Sequence, residues 1–239
     1  MLGIPDRYRI GVNIDLKDFI PKNLKLEQKK RIKESIKKVQ LTDQIVGEEI
    51  PSVINEEFRC EAIQFYDIEI YNRKDAAFLV GLYQSLMKSL CVIRIHDSAK
   101  EAYSFSIKRL NHQDNTQIVI EDSVMTEWFQ VGLPDRKREQ MTSYVQFSRV
   151  NNKTNKVCFY QEMFSKAFLL SNENAYTNVT KILDSDIWYD NAKTERLFYC
   201  YKRLVEQRKS LAKAATNAEK MSINQQIKKE IQRLKEENY

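Results

Sequence analysis

The sequence predicts a mixed α+β fold on three observations. Residues 61 to 71 alternate apolar and polar side chains, a helical pattern separates them from a second β-branched run at 91 to 97, and a C-terminal stretch from residue 193 has neither Gly nor Pro. The expected order is an N-terminal basic helix, a small β-α-β-β-β sheet, and a helical C-terminal half ending in a long helix or a helical hairpin. The expected divisions are 1–132 for the sheet domain, 133–192 for a short-helix region packed on it, and 193–239 for the long basic helix or coiled-coil hairpin.

Residues 1 to 21 read as an extended segment, because Pro5, Gly11 and the closing Pro21 oppose a helix. A helix is expected in "LKLEQKKRIKESIKKVQ", where Ile32, Ile36 and Val39 fall at i, i+4 and i+7 and form a narrow apolar stripe beneath a lysine-covered surface. "QLTDQIVG" is a candidate short strand, and "EEIPSVINEEF" reads as a loop around Pro51. In "RCEAIQFYDIEIYNR" the period of two puts Ala62, Gln64, Tyr66, Ile68 and Ile70 on one face and Ile63, Phe65, Asp67 and Glu69 on the other.

A helix over 74 to 89 and the strand "CVIRIHD" complete a β-α-β unit. "EAYSFSIKRLN" and "TQIVIEDSVMTEWF" extend it as two further strands, each bounded by a polar turn. Short helices are expected at 134–147, 158–170 and 174–189, separated by the breaks "NNKTN" and "SNEN". Beyond residue 193, Leu197, Tyr201, Leu204 and Leu211 keep one helical register, and Ile227, Ile231 and Leu234 keep another. The registers fail to join through "TNAEKMSIN", so the helix either stutters or folds back.

Composition narrows the function. Five glycines in 239 residues disfavour a Gly-rich phosphate loop, and no cofactor is expected. Cys60, Cys91, Cys158 and Cys200 never pair as CxxC, so buried free thiols are expected and no structural metal site. No apolar run reaches the roughly 18 residues of a membrane span, and the first residues have no signal-peptide core; no membrane association and a cytoplasmic location are expected.

Charge is unevenly placed. Residues 22–38 hold eight Lys/Arg against two Glu and residues 193–239 hold twelve against six, whereas 39–192 hold sixteen against twenty-two acids. An acidic body is thus flanked by basic helices. Lys29, Lys30, Lys33, Lys37, Lys202, Arg203, Arg208, Lys209 and Lys213 are the candidate contacts to nucleic acid or an acidic partner, and Leu204, Leu211, Ile227, Ile231 and Leu234 the candidate contacts to a partner helix.

Asp67 and Glu69 are the strongest chemical candidates. Two carboxylates on one strand face are what a divalent-metal nuclease needs, but such an enzyme also needs a nearby lysine to orient water, and Tyr71 stands two residues after Glu69. A salt-bridged strand face is the preferred reading, with no catalytic residues assigned; a metal-dependent nuclease using both acids is the alternative. Trp128, Trp188 and the cluster "RLFYCYKRL" suit core packing better than a base-stacking platform.

The opening "MLGIP", the strand "EAIQFYDIEIY" followed by a helix and "CVIRIHD", the strand "SFSIKRL" and the ending "TNAEKMSINQQIKKEIQRLKEE" together resemble, over the full length, the prokaryotic family catalogued as domain of unknown function four-three-nine-one. The resemblance brings no catalytic residues. It implies a genomic neighbourhood of helicase and DNA methyltransferase genes in restriction-like or phage-defence islands. A non-catalytic accessory or adaptor protein is therefore expected. Its partner would be a helicase or nuclease subunit, with DNA or RNA as an auxiliary ligand and homo-oligomerisation through the C-terminal helix as a further option.

Overall fold

A computed structural model describes residues 1–114 and 116–236, in two compact units that divide after Ala167. The first unit is built on a mixed seven-stranded sheet, which bears out the mixed α+β class with more strands than the sequence suggested. In chain order the elements of this unit are β1 (Arg9–Ile14), α1 (Leu16–Phe19), α2 (Leu26–Ser35), β2 (Ile36–Ile45), β3 (Val53–Ile54), β4 (Arg59–Cys60), β5 (Ile63–Ile70), α3 (Ala76–Leu86), β6 (Leu90–His96), β7 (Lys100–Leu110), β8 (Ile118–Met125), β9 (Phe129–Gln130) and α4 (Arg136–Val145). Helix α5 (Lys156–Ser171) follows.

The sheet runs β1-β2-β5-β6-β7-β8, with β9 also paired to β7; β3 and β4 form a separate two-stranded ribbon. Among the described residues, only β5 and β6 pair in parallel. That pairing requires a crossover, and α3 supplies it, as the β-α-β reading expects. Tyr66, Ile68 and Ile70 of β5 join Ile93 and Ile95 of β6 against Leu79, Val80 and Tyr83 of α3. The opposite face carries Ile63, Phe65, Asp67 and Glu69 in register with Leu90, Val92, Arg94 and His96.

The basic helix is shorter than expected. Ile32, Ile36 and Val39 are all buried, but α2 ends at Ser35, and Ile36 and Val39 belong to β2. β-Bulges at Ile36/Lys38 and Leu41/Asp43 explain the misreading. An extra residue puts two inward positions three apart, a spacing that imitates a helix. The segment read as merely extended is edge strand β1, whose own irregularity lies between Arg9 and Val12, where Gly11 takes φ +65°. The "EEIPSVINEEF" loop contains β3.

Two buried lysines fix loops around α5. Lys156 donates to the carbonyls of Gly47 and Ile50 and to Ser52 Oγ at 2.6–3.1 Å. Lys166 donates to Arg149 O and Glu162, while Glu162 accepts from the backbone N–H groups of Asn151 and Asn152. Buried charges of this kind are tolerated because they are paired or hydrogen-bonded, here Lys156 to three oxygens and Lys166 to a carbonyl and a carboxylate.

In the second unit the expected helix over 174–189 is broken into 3-10 turns around α6 (Val179–Leu183). Trp188 is fully buried and donates its indole N–H to the carbonyls of Ile182 and Leu183, so its ring is core. The tail is a hairpin of α7 (Asn191–Lys213) and α8 (Asn217–Glu236). Thr216 and Glu219 form a capping box at its turn: Thr216 Oγ1 accepts from Glu219 N, and the Glu219 carboxylate accepts from Thr216 N. Across the hairpin, buried Glu230 of α8 meets Cys200 and Arg203 of α7. All four cysteines are buried free thiols.

Candidate functional site

The polar end of the β5–β6 face forms a cleft of about 320 Å³, lined among others by Thr42, Asp67, Arg94, Arg138, Thr142 and Gln146. Pairing places its charges. Asp67 lies beside Arg94 in the parallel register, and Arg94 lies opposite Tyr103 in the antiparallel one. Asp67 Oδ1 accepts from Arg94 Nη1 at 2.9 Å, and its Oδ2 lies 3.2 Å from His96 Nε2. Arg94 Nε donates to Glu101 Oε2 at 2.6 Å; Glu101 Oε1 accepts from Tyr103 Oη and Arg138 Nε.

Glu101 is 0% exposed. Burial pushes its carboxyl group up, but the hydrogen bond from Arg138 and the charge of Arg94 outweigh burial and hold it below the usual range. Burial also pushes Asp67 up, and His96 and Arg94 together reverse that. The His96 imidazole is raised above its ordinary value of 6.5 chiefly by its hydrogen bond to Asp67.

The sign of the His96 shift fixes a pH dependence. A raised folded value means that the pair contributes stability fully below the unfolded imidazole value near 6.5 and loses it as pH climbs through the folded value. Urea denaturation on either side of that window should therefore show the wild type losing more stability than His96→Asn. Equal losses would contradict the assignment.

Asp67 and Glu69 do share a face, but they are not gathered around a common point of chemistry. Asp67 is bound to Arg94 and His96, whereas Glu69 Oε1 lies 2.6 Å from Lys37 Nζ. Among the described residues no group of three or more His, Cys, Asp or Glu side chains is disposed to hold a metal ion. Arg94, Glu101 and Arg138 were not singled out from the sequence. The sequence signal for Arg94 and Glu101 is a charged residue inside a buried strand; Arg138 arrives from a separate helix and carries no such signal.

The candidate basic residues divide by environment. Lys30 and Lys33 are exposed on α2, Lys29 donates to Lys22 O, and Lys37 sits on β2 rather than on a helix. On α7, Arg203 pairs with Glu230, Arg208 donates to Ala175 O, and Lys202 is half-buried. Lys209 and Lys213 are exposed, as are Lys220, Lys228, Lys229 and Lys235 on α8, and among the described residues none of these six is paired with a carboxylate. Leu204 and Leu234 are fully buried and Ile227 nearly so; Leu211 and Ile231 are half-buried. The chain itself already covers much of the stripe considered for a partner helix.

Fold and site define a mixed α+β protein with an ion-paired polar cleft in one unit and a lysine-clad helical hairpin in the other; among the described residues, no helix is long and apolar enough to cross a membrane. The chain belongs to the family described as Domain of unknown function (DUF4391), whose model matches residues 2–234. No curated protein and no solved structure matches it.

Proposed function

We propose that this protein is a non-catalytic accessory module that binds the phosphate backbone of nucleic acid through the α7–α8 hairpin. The observation that carries the reading is the six exposed lysines, Lys209, Lys213, Lys220, Lys228, Lys229 and Lys235, on a hairpin whose inward positions are buried. Unpaired ammonium groups release counterions when they meet phosphates, and that release drives binding without base recognition. In the first unit, exposed Lys33 of α2 offers the same chemistry, whereas Lys30 is paired with Glu34 at 3.8 Å. The neighbourhood implied by the family resemblance makes a helicase or nuclease subunit of a prokaryotic DNA-processing or anti-phage defence system the protein partner, in the cytoplasm.

The competing divalent-metal nuclease reading asks more of the residues present. Asp67 and Glu69 would have to leave Arg94, His96 and Lys37 before ligating a metal. The test is an anisotropy titration of labelled single-stranded DNA with purified full-length protein at low salt, with and without EDTA. Salt-sensitive, EDTA-insensitive binding of an intact oligonucleotide is expected. No binding, or magnesium-dependent cleavage, would overturn the reading.

A further inference from the structure

The cleft has donor groups that its own ion pairs leave unused. Arg138 lies in the first turn of α4, and its Nε is committed to fully buried Glu101. Its terminal guanidinium nitrogens make no hydrogen bond among the described residues, although they belong to a side chain that lines the cleft. Gln146, at the other end of the same helix, also lines the cleft and is half-buried, and its side-chain amide has no hydrogen-bond partner among the described residues.

We propose that this cleft is an oxyanion site, taking the carboxylate or phosphate head of a small molecule against the free edge of Arg138 and the Gln146 amide. A guanidinium presents a rigid fork of donors that matches either head group. Holding the inner edge of that fork on a buried carboxylate orders the side chain before the ligand arrives, which lowers the entropic cost of binding. The acids nearby do not oppose the ligand as free charges: Glu101 is shared by Arg94 and Arg138, and Asp67 by Arg94 and His96. A cleft of about 320 Å³ is of the size that holds a small ligand. Leu2, which also lines the cleft, adopts φ +46°, a strained conformation for a branched side chain and one that recurs at binding sites.

The experiment is isothermal titration calorimetry of the full chain with inorganic phosphate and, separately, with acetate at moderate salt. Saturable binding with a stoichiometry of one is expected for at least one of the two, and the stronger arm identifies the head group. Gln146→Glu places a negative charge in the cleft without removing any hydrogen bond. It should weaken that binding at least about tenfold, since a like charge beside the ligand costs upwards of about 1.4 kcal/mol, while leaving the melting temperature unchanged. A variant with Lys209, Lys213, Lys228 and Lys229 all changed to Gln should bind the anion as the wild type does, which separates this site from the hairpin. Flat titrations with both anions would overturn the proposal. So would unchanged affinity in Gln146→Glu, or loss of binding in the hairpin variant.

Discussion

Replacing Glu101 with alanine is expected to destabilise the first unit by about 3–5 kcal/mol, the range found when one partner of a buried ion pair is removed. The cause is local. Glu101 is fully buried and accepts from Arg94, Arg138 and Tyr103, so its loss leaves Arg94 with Asp67 alone and buried Tyr103 without its acceptor. Urea denaturation monitored by circular dichroism measures the effect. Glu101→Gln, which keeps an accepting oxygen, should cost less than alanine. A loss below about 1 kcal/mol for alanine would mean that water replaces the carboxylate, and that the cleft is wetter than its packing indicates.

Phe65→Ala should cost a similar amount, about 3–5 kcal/mol, by a different mechanism. Phe65 is 0% exposed in the middle of β5, beside Val92 of β6 and opposite Asp43 of β2. Truncation there removes a ring from the face of the sheet opposite α3, and the strands paired on both sides of β5 limit how far the backbone can move to fill the void. The denaturation midpoint should fall with the m-value unchanged. An effect under about 1 kcal/mol would show that this face of the sheet repacks freely.

Much of the sheet was legible because β5, β6 and β7 carry their burial pattern in uninterrupted runs. The period of two from Ile63 to Ile70 gives both faces of β5, and with them the fact that Asp67 and Glu69 point the same way, although adjacent Phe65 and Tyr66 are both buried. β2 was hidden by its bulges. Ile36 and Val39 are separated by three positions on a strand, so a period rule assigns them to a helix. β1 was hidden by Gly11 and by exposure of nearly every residue, since an edge strand buries little and leaves no alternation to read.

The hairpin was legible only as one of two alternatives, yet a local signal was present. Thr216 and Glu219, three residues apart, are the pattern of a helix start, and they fall where the two apolar registers disagree. The same packing bears on the tail. Removing residues 216–239 would strip α7 of the helix that covers it, because α8 buries Ile227, Glu230 and Leu234 and meets α7 through Cys200 and Arg203. The cleft was the least legible feature. Arg94 and Glu101 are seven residues apart, but Arg138 comes from a helix thirty-seven positions further on, and only the fold brings its Nε to Glu101.

The central claim is that hairpin lysines bind nucleic acid phosphates, and the salt dependence of single-stranded DNA binding tests it most directly. Dissociation constants of the wild type and of the variant with Lys209, Lys213, Lys228 and Lys229 changed to Gln should be measured across a range of monovalent salt. If those lysines meet phosphates, affinity at low salt should fall and the slope of log K against log salt should become shallower by about three, roughly 0.7 for each phosphate that is no longer neutralised. Wild-type binding with an unaltered slope in the variant, or no wild-type binding even at low salt, would contradict the account.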